Sequence, residues 1–403
     1  MVAKKISIPK PIGVIMARLN QLAEVRVVGG AVRDQLIDLQ HHSANHYDLA
    51  IKTTPNKLKN HAMQFTDWRL VLDGFEHGII RIISDNMMVE VACLRHDVTT
   101  DGRHAIVKFG NDWHADAQRR DFTINAIYAD KDGKLFDPLG AMIDFSPLTL
   151  RFIGIADNRI KEDYLRILRY YRFLSTLPIK KHYHTDRQTI VKHKAGLKKI
   201  SHERIGIELL KILSSSQSLF TIRIMAIDGI WQTIGFMPAM SKIKKISPAM
   251  VNIINHWSSH RRMVFYYFLL RDKIADKNLP HHKKNFAWSK TINKLISVYQ
   301  TTNKTLPLFE FHYRTSDDAY HILLMQNWLN GKITKFKWQT LSIATQPKFP
   351  LADAGNELKA LGFTTNDFIK HLPRLEKKWL ASRGKLQKND LFNQAIKLLK
   401  KST

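Results

Sequence analysis

The apolar pattern of this chain changes once, near residue 155. Before that point, short apolar runs such as Val25–Val28 and Val89–Leu94 are separated by turn residues, a pattern typical of strands. From about Lys161 onward, apolar residues recur at helical spacing. Strand signals gathered at one end of a chain and helices at the other are typical of an α+β protein. We therefore predict a mixed α/β unit followed by an all-helical remainder.

Composition limits the class of protein. The chain has 403 residues, 44% of them apolar, which is enough for more than one packed unit. No apolar stretch approaches the length of a membrane helix, and the first residues lack a signal-peptide pattern. We expect a soluble, cytoplasmic protein with no membrane partner. The single cysteine, Cys93, has no second cysteine with which to form a disulfide.

The net charge is the first indication of function. Lysine and arginine total 63 against 35 acidic residues, which gives +28 and favours a polyanionic partner. Nucleic acid therefore outranks an acidic membrane surface. A lysine-rich protein whose charges are simply solvated would have the same composition, so the motifs must decide between the two interpretations.

Two adjacent glycines end the first strand-like run. Gly29 and Gly30 follow Val28 directly, and Arg33 comes in the first turn of the helix predicted there. Backbone amides at such a helix start can approach a phosphate, and the arginine adds positive charge. A plain strand-to-helix turn has the same sequence, and the segment lacks both the P-loop lysine and the dinucleotide-binding spacing.

Acidic residues on two strand-like runs are candidate metal ligands. His46 and Asp48 alternate on one strand and so share a face, and Glu90 lies on the face opposite to its flanking valines. Carboxylates gathered on strands are costly without a cation, so a divalent metal beside a bound triphosphate would explain them. By spacing alone, ordinary half-exposed strand residues are the competing interpretation.

Arginine-rich segments lie on both sides of residue 150. Residues 119–126 alternate charged or polar side chains with apolar ones, which suits a charged ligand lying against a packed wall. Asp163 and Arg166 stand one helical turn apart and can hydrogen-bond to the edge of a base. Arg169 and Arg172 extend that side toward phosphates. An exposed helix with ordinary ion pairs would have the same spacing.

Taken in order, these segments resemble class II CCA tRNA nucleotidyltransferases and the related bacterial poly(A) polymerases. The resemblance covers roughly the first 215 residues. It is carried by residues 29–34, the strand at Asp48, residues 74–78 and 89–91, Arg95 and Asp97, and residues 101–103, 119–126, 151–154, 162–172 and 203–205. It implies a polymerase-beta-type nucleotidyltransferase head with a mixed sheet and helices (1–150), a helical neck with nucleotide-base recognition (151–215), and a basic helical body and tail that bind tRNA (216–403).

The resemblance also implies a reaction, which is template-independent, metal-dependent addition of CMP and AMP to the 3′ end of tRNA. The substrates would be CTP and ATP, the metal would be Mg²⁺, and no obligate protein partner is inferred. The implied nucleotide-binding residues are Gly29, Gly30, Arg33, Arg120, Asp163, Arg166, Arg169 and Arg172. Within that set, Gly30 and Arg33 would contact the triphosphate. Asp163 and Arg166 would bind the edge of the incoming base.

The chain departs from the family at the first metal site. The family has an Asp-x-Asp pair, whereas this chain has His46-Tyr47-Asp48 and so lacks one carboxylate. The implied metal ligands are His46, Asp48 and Glu90, with Asp48 and Glu90 catalytic. A neutral imidazole suits Mg²⁺ poorly, so metal affinity should fall unless a loop residue such as Asp38 compensates.

Three functions therefore stay open at this point. The first is an active CCA-adding enzyme, which the intact arginine-rich segments favour. The second is a poly(A) polymerase that adds AMP to RNA 3′ ends. The third is a catalytically impaired RNA-binding homologue, which the replacement at His46 and the basic charge favour.

Overall fold

The computed structural model describes most of the chain. The described residues are 5–39, 46–84, 87–100, 105–182, 184–238, 240–246, 248–270 and 348–399. The chain divides into two compact units, Met1–Phe236 and Met237–Thr403. The domain boundaries predicted after residues 150 and 215 stay predictions.

Seven strands of the described part form one mixed sheet. They are β1 (Val25–Val28), β2 (His46–Ile51), β3 (Arg69–Val71), β4 (Ile79–Ser84), β5 (Met87–Cys93), β8 (Tyr128–Ala129) and β9 (Leu135–Phe136). Their order is β3-β4-β5-β2-β1-β8-β9. Strands β2 and β5 run parallel, and the other neighbouring pairs are antiparallel. Strands β6 (Arg95–Thr100) and β7 (Ala105–Phe109) form a separate hairpin, and residues 101–103 of the resemblance lie outside the described residues.

Helices cover the sheet. They are α1 (Lys10–Asn20), α2 (Gly30–Leu36), α3 (Pro55–Ala62) and α4 (Trp113–Gln118). Because side chains alternate along a strand, the sheet has two buried faces. Leu49 and Val91 belong to one buried cluster together with Leu58 of α3. Val28 and Ala50 belong to a second cluster. The predicted mixed α/β head is confirmed.

Six further helices of the first unit follow. They are α5 (Ala156–Glu162), α6 (Leu165–Thr176), α7 (His184–His193), α8 (His202–Ser214), α9 (Ser218–Ile227) and α10 (Ile230–Thr233). A two-residue parallel pair, β10 (Thr149–Leu150) with β11 (Lys181–His182), accompanies them. The sequence did not predict β11, because two residues are too short to show an alternating pattern.

The helix predicted through residues 162–172 is interrupted. α5 ends at Glu162, Asp163 has extended backbone angles (φ −152°, ψ 106°), and α6 begins at Leu165. The Asp163 carboxylate accepts a hydrogen bond of 3.1 Å from the Leu165 backbone N–H. Such a local bond competes with helix formation, so the prediction that Asp163 and Arg166 are neighbours within one helix was wrong.

Aromatic side chains fix the orientation of α6. The Phe122 ring lies 4.7 Å from that of Phe152 and 5.2 Å from that of Phe173. Phe152 also stacks on Tyr170, with ring centroids 6.1 Å apart. All four side chains are buried. This packing turns the arginine-bearing side of α6 toward the loop that carries Asp121.

The second unit is helical throughout its described elements. These are α11 (Met240–Lys245), α12 (Pro248–Asn255), α13 (Ser259–Leu269), α14 (Gly355–Ala360), α15 (Thr365–Ala381) and α16 (Lys388–Leu399). Leu358, Leu375 and Leu391 bring α14, α15 and α16 into one buried cluster. Within the described residues, the predicted helical remainder is confirmed apart from the short strand β11. No helix in the described ranges is long and apolar enough to cross a membrane.

Candidate active site

Three charged residues stand side by side across neighbouring strands. Asp48 of β2 pairs in register with Glu90 of β5, and Glu90 pairs with Arg81 of β4. Arg81 Nε donates a hydrogen bond of 3.1 Å to Glu90 Oε2. Val89 and Val91, on either side of Glu90, are fully buried in the core of the head. Strand alternation therefore places Glu90 on the opposite face, toward Asp48.

A cleft of about 150 Å³ opens over this face of the sheet. Asp48 and Glu90 line it on one side, and Arg95, Arg119 and Arg120 also contribute to its wall. A polyphosphate with a bound divalent cation has negative and positive groups. Carboxylates bind the cation, and guanidinium groups bind the phosphates. The cleft therefore has the chemistry of a nucleotide site.

Gly29 lies against the carboxylate of Asp48. Its φ of +76° is in the left-handed region, where a side chain is strained. A Cβ added at Gly29 would also come within 3.6 Å of Asp48 Oδ2. A larger side chain would extend further into the space above that oxygen. Gly29 thus has a backbone reason and a spatial reason to be glycine, while a Cβ at Gly30 would approach only Arg33.

The metal ligands implied by the resemblance have different placements. His46 pairs with Met88 of β5 and occupies the β2 position two residues before Asp48. Among the residues that the structure describes, no group of three His, Cys, Asp or Glu side chains is arranged to hold a metal. Asp38 does not line the cleft. Two carboxylates, completed by phosphate oxygens, nevertheless fit a single Mg²⁺.

Asp116 fixes Arg120 at the cleft wall. The buried Asp116 carboxylate accepts hydrogen bonds from Arg119 at 2.6 Å, from Arg120 at 3.1 Å and from the Tyr128 hydroxyl at 2.7 Å. Burial alone would raise the pKa of Asp116, but Arg120 and Arg119 hold it below its usual value. The carboxylate therefore stays charged and keeps both guanidinium groups in place.

Asp121 fixes two arginines of α6 in place. Arg166 Nε donates to Asp121 Oδ1 at 2.9 Å, and Arg169 forms an ion pair with the other carboxylate oxygen. Arg166 also donates to Glu162 Oε2 at 2.5 Å. Burial alone would raise the pKa of Asp121, yet Arg169 and Arg166 lower it. One carboxylate from the head, with its side chain 13% exposed, thus orients two of the predicted recognition residues.

Helix α8 supplies partners for the remaining polar residues of the neck. Arg204 donates to Asp163 Oδ2 at 2.7 Å. Glu208, one helical turn further on, pairs with Arg172 at 3.4 Å. Asp163 and Arg166 therefore contact different partners, and α8 determines the position of Asp163.

Arg33 connects the glycine turn to the neck. Its guanidinium donates to Asn125 Oδ1 at 2.7 Å and to the neighbouring Asp34 at 2.7 Å. The same group lies 5.5 Å from the centre of the Phe173 ring of α6. Arg33 therefore contacts both the segment that follows the glycine turn and an aromatic ring of α6.

A comparison of whole chains identifies the family. A mitochondrial CCA tRNA nucleotidyltransferase 1 from Mus musculus is 30% identical over 92% of this chain and 86% of its own length. The chain belongs to the CCA tRNA nucleotidyltransferase family. The CCA-adding enzyme of Streptococcus sanguinis is 37% identical over 47% of this chain and 46% of its own.

Domain models and solved structures agree with this family. Residues 25–151 match the poly A polymerase head domain, and residues 186–249 match the model described as "Probable RNA and SrmB- binding site of polymerase A". The Thermotoga maritima CCA-adding enzyme complexed with tRNA shares the fold, with a TM-score of 0.66 and 17% identity over 98% of this chain and 96% of that one. The Bacillus stearothermophilus CCA-adding enzyme in complex with CTP also shares the fold, with a TM-score of 0.64 and 21% identity over 83% of this chain and 82% of that one.

Within this family fold, the structure gathers some of the predicted site residues and separates others. Asp48, Glu90 and Arg120 share the cleft, and Gly29 adjoins Asp48. Their individual roles stay predictions, as do those of the residues on α6. The sequence analysis did not single out Asp116 or Arg81, and it gave no individual role to Asp121 or Arg204, which lie in the segments 119–126 and 203–205. The spacing of Asp116 to Arg119 and Arg120, at i+3 and i+4 on a helix, is a signal that could have found the first of these.

Proposed function

We propose that this chain adds CMP and AMP to the 3′ end of tRNA, taking CTP and ATP as substrates and a divalent metal ion as cofactor. The observation that carries the proposal is the cleft, which Asp48 and Glu90 from adjacent strands line together with Arg120. The arginines held by Asp121 lie on the neck side of the same unit. Relatives named CCA tRNA nucleotidyltransferase, which match 92% of the chain, support the same reaction.

The reaction joins the RNA 3′ oxygen to the α-phosphorus of the nucleotide and releases pyrophosphate. Asp48 and Glu90 would hold the metal ion, which when bound activates the hydroxyl and neutralises phosphate charge. Arg119 and Arg120, oriented by Asp116, stabilise charge on the phosphates as the bond breaks. Since little covalent chemistry falls to the protein, positioning and electrostatics supply most of the catalysis.

Base recognition is assigned to the neck. Asp163 is an acceptor and Arg166 a donor, so together they can match the hydrogen-bonding edge of cytosine or adenine. Their partners Arg204 and Asp121 keep them in place before a nucleotide arrives. No nucleic-acid template is required, because the protein side chains select the base.

We further propose that the ion is Mg²⁺. Carboxylate and phosphate oxygens are the ligands it prefers, and Mg²⁺ is commonly bound by one or two carboxylates together with substrate phosphates. Asp48 and Glu90 provide that number. Activity restored by Mg²⁺ after treatment with a chelator would support this assignment, and restoration by Mn²⁺ but not Mg²⁺ would contradict it.

The test of the function is label incorporation into a tRNA that ends at its discriminator base. With CTP and ATP together, the product should be three nucleotides longer and end in CCA. The Asp48→Asn variant should give no product, while Arg69→Met, which changes an exposed arginine on the edge strand β3, should act like wild type. Absence of product from the wild-type chain with either Mg²⁺ or Mn²⁺ would contradict the proposal.

The same assay separates the two alternative functions. A poly(A) polymerase would extend unstructured RNA with long tails from ATP alone, without a need for CTP. An RNA-binding homologue without activity would retain tRNA in a gel-shift experiment and incorporate nothing. A product that is always three nucleotides longer, and that forms only when CTP and ATP are both present, would exclude the poly(A) polymerase and the inactive RNA-binding homologue.

The cellular location is proposed as cytoplasmic, as the sequence analysis predicted. The relatives from Mus musculus, Danio rerio and Homo sapiens are named as mitochondrial, so a mitochondrial location is the alternative. Fractionation of cells that express the tagged full-length chain tests the proposal. Recovery of the protein in purified mitochondria would contradict it.

A further inference from the structure

Arg81 contacts the candidate site but takes no part in the proposed reaction. It lies on β4, directly opposite Glu90 in register, so Asp48, Glu90 and Arg81 form a row across three adjacent strands. Its Nε donates to Glu90 Oε2 at 3.1 Å. A fixed cation thus stands beside one of the two carboxylates that line the cleft.

The ion pair between Arg81 and Glu90 is partly shielded from solvent. The side chains of Arg81 and Glu90 are 35% and 27% exposed, so solvent screens their attraction only in part. A second acid, Asp73, lies 3.7 Å from Arg81 but is 78% exposed, and so competes weakly for the guanidinium. Backbone pairing of β4 with β5 holds the two partners in register, which lowers the entropy cost of keeping them together.

The charge of this sheet face is therefore low for a site that would hold two divalent ions. Such a site places two cations about 3.5–4 Å apart, and their mutual repulsion requires several carboxylates. Here His46 stands where the family has its first aspartate, and Arg81 balances the charge of Glu90. Asp48 and Glu90 contribute two negative charges and Arg81 one positive charge, which leaves a net charge of −1.

We propose that Arg81 is a positioning residue that takes the place of a second divalent ion next to Glu90, so that this head binds one ion with its nucleotide rather than two. The inference rests on the proposed function for the identity of the nucleotide only. Arg81 acts through Glu90, which it orients toward the cleft and keeps partly neutralised.

The experiment measures Mn²⁺ binding rather than activity. Full-length protein is saturated with an α,β-methylene analogue of CTP, without RNA, and titrated with Mn²⁺ while the electron paramagnetic resonance signal reports the free ion. Wild type should take up one ion per nucleotide complex. Arg81→Met should take up a second ion or bind the first on the order of fivefold more tightly, because a neighbouring positive charge has been removed.

Three further variants identify the cause. Arg81→Lys should behave like wild type, because it keeps the charge. Arg81→Met combined with Glu90→Gln should lose the gain, because the freed carboxylate is gone. Arg69→Met removes an arginine from the neighbouring edge strand and should leave Mn²⁺ binding unchanged.

Two outcomes would overturn the inference. One is a wild-type complex that already binds two ions. The other is an Arg81→Met variant that binds Mn²⁺ with the stoichiometry and affinity of wild type, or more weakly. Because RNA is absent from the titration, these outcomes are distinct from a failure to add CCA.

Discussion

The two sides of the candidate site are built differently. On the sheet side, Asp48 and Glu90 lie on adjacent strands, and Glu90 also forms an ion pair with Arg81. On the neck side, Asp121 holds Arg166 and Arg169 of α6. The carboxylates on the sheet side thus line a cleft that a ligand can enter, whereas the ion pairs on the neck side are formed within the protein.

This difference bears on how each side tolerates change. A site at a cleft can lose a carboxylate and still fold, because a partner such as Arg81, which is 35% exposed, can be solvated instead. Loss of Asp121 on the neck side should cost more stability, since it leaves Arg166, which is only 10% exposed, without that charge partner. His46, which stands where the family has an aspartate, lies on the sheet side, where loss of a carboxylate costs less.

The sharpest test of the sheet side is Asp48→Asn. Loss of the carboxylate opposite Glu90 removes half of the described acidic ligands, so kcat for nucleotide addition should fall by about a thousandfold or more. tRNA affinity in a gel shift and the thermal unfolding curve should stay near wild type. A variant that keeps one tenth of wild-type activity would show that Asp48 does not bind the ion.

The matching test of the neck side is Asp121→Asn. Arg166 and Arg169 would lose their common anion, so kcat/KM for CTP and ATP should fall by about ten- to a hundredfold, mainly through KM. Asp121→Glu should recover part of the loss. As a control, Asp67→Asn breaks an exposed pair with Arg18 and should leave the kinetics unchanged. Unaltered KM in Asp121→Asn would show that the network is only structural.

A change that makes the sheet side more like a complete acidic site is His46→Asp. An added carboxylate should lower the Mg²⁺ concentration for half-maximal activity by about three- to tenfold. His114→Asp introduces the same charge on the exposed start of α4 and controls for a general effect of net charge. An unchanged metal requirement would mean that residue 46 does not reach the ion.

The smallest expected effect concerns the chain that leads into β2. Asp38 has φ of +52°, a conformation that favours glycine. Asp38→Gly should therefore raise the free energy of unfolding by about 0.5–1 kcal/mol, measured by urea denaturation, without changing metal dependence. A destabilised variant would show that the Asp38 side chain makes a contact worth more than the backbone strain.

Much of the fold could be predicted from periodicity, because strands and helices leave local patterns. The head sheet and the helical remainder were found this way, and Glu90 could be placed opposite Val89 and Val91. The break at Asp163 was missed because a side-chain bond to the Leu165 backbone outweighs an otherwise helical pattern.

The candidate site was predicted only as far as its motifs are continuous in sequence. Asp121 and Arg166 are 45 residues apart, and Arg81 is nine from Glu90 across a hairpin. No local spacing rule connects such residues, since their contact depends on sheet register and on how Phe122 packs against α6. Sequence analysis named the arginines, and the structure was needed to find the acids that hold them.

Arg120 and Asp121 are joined by one peptide bond, yet their side chains serve opposite networks. Arg120 is held by Asp116, and Asp121 holds Arg166. Insertion or deletion of a single residue between them would rotate one of the two side chains away from its partners. Length variation among relatives should therefore be absent between residues 116 and 121.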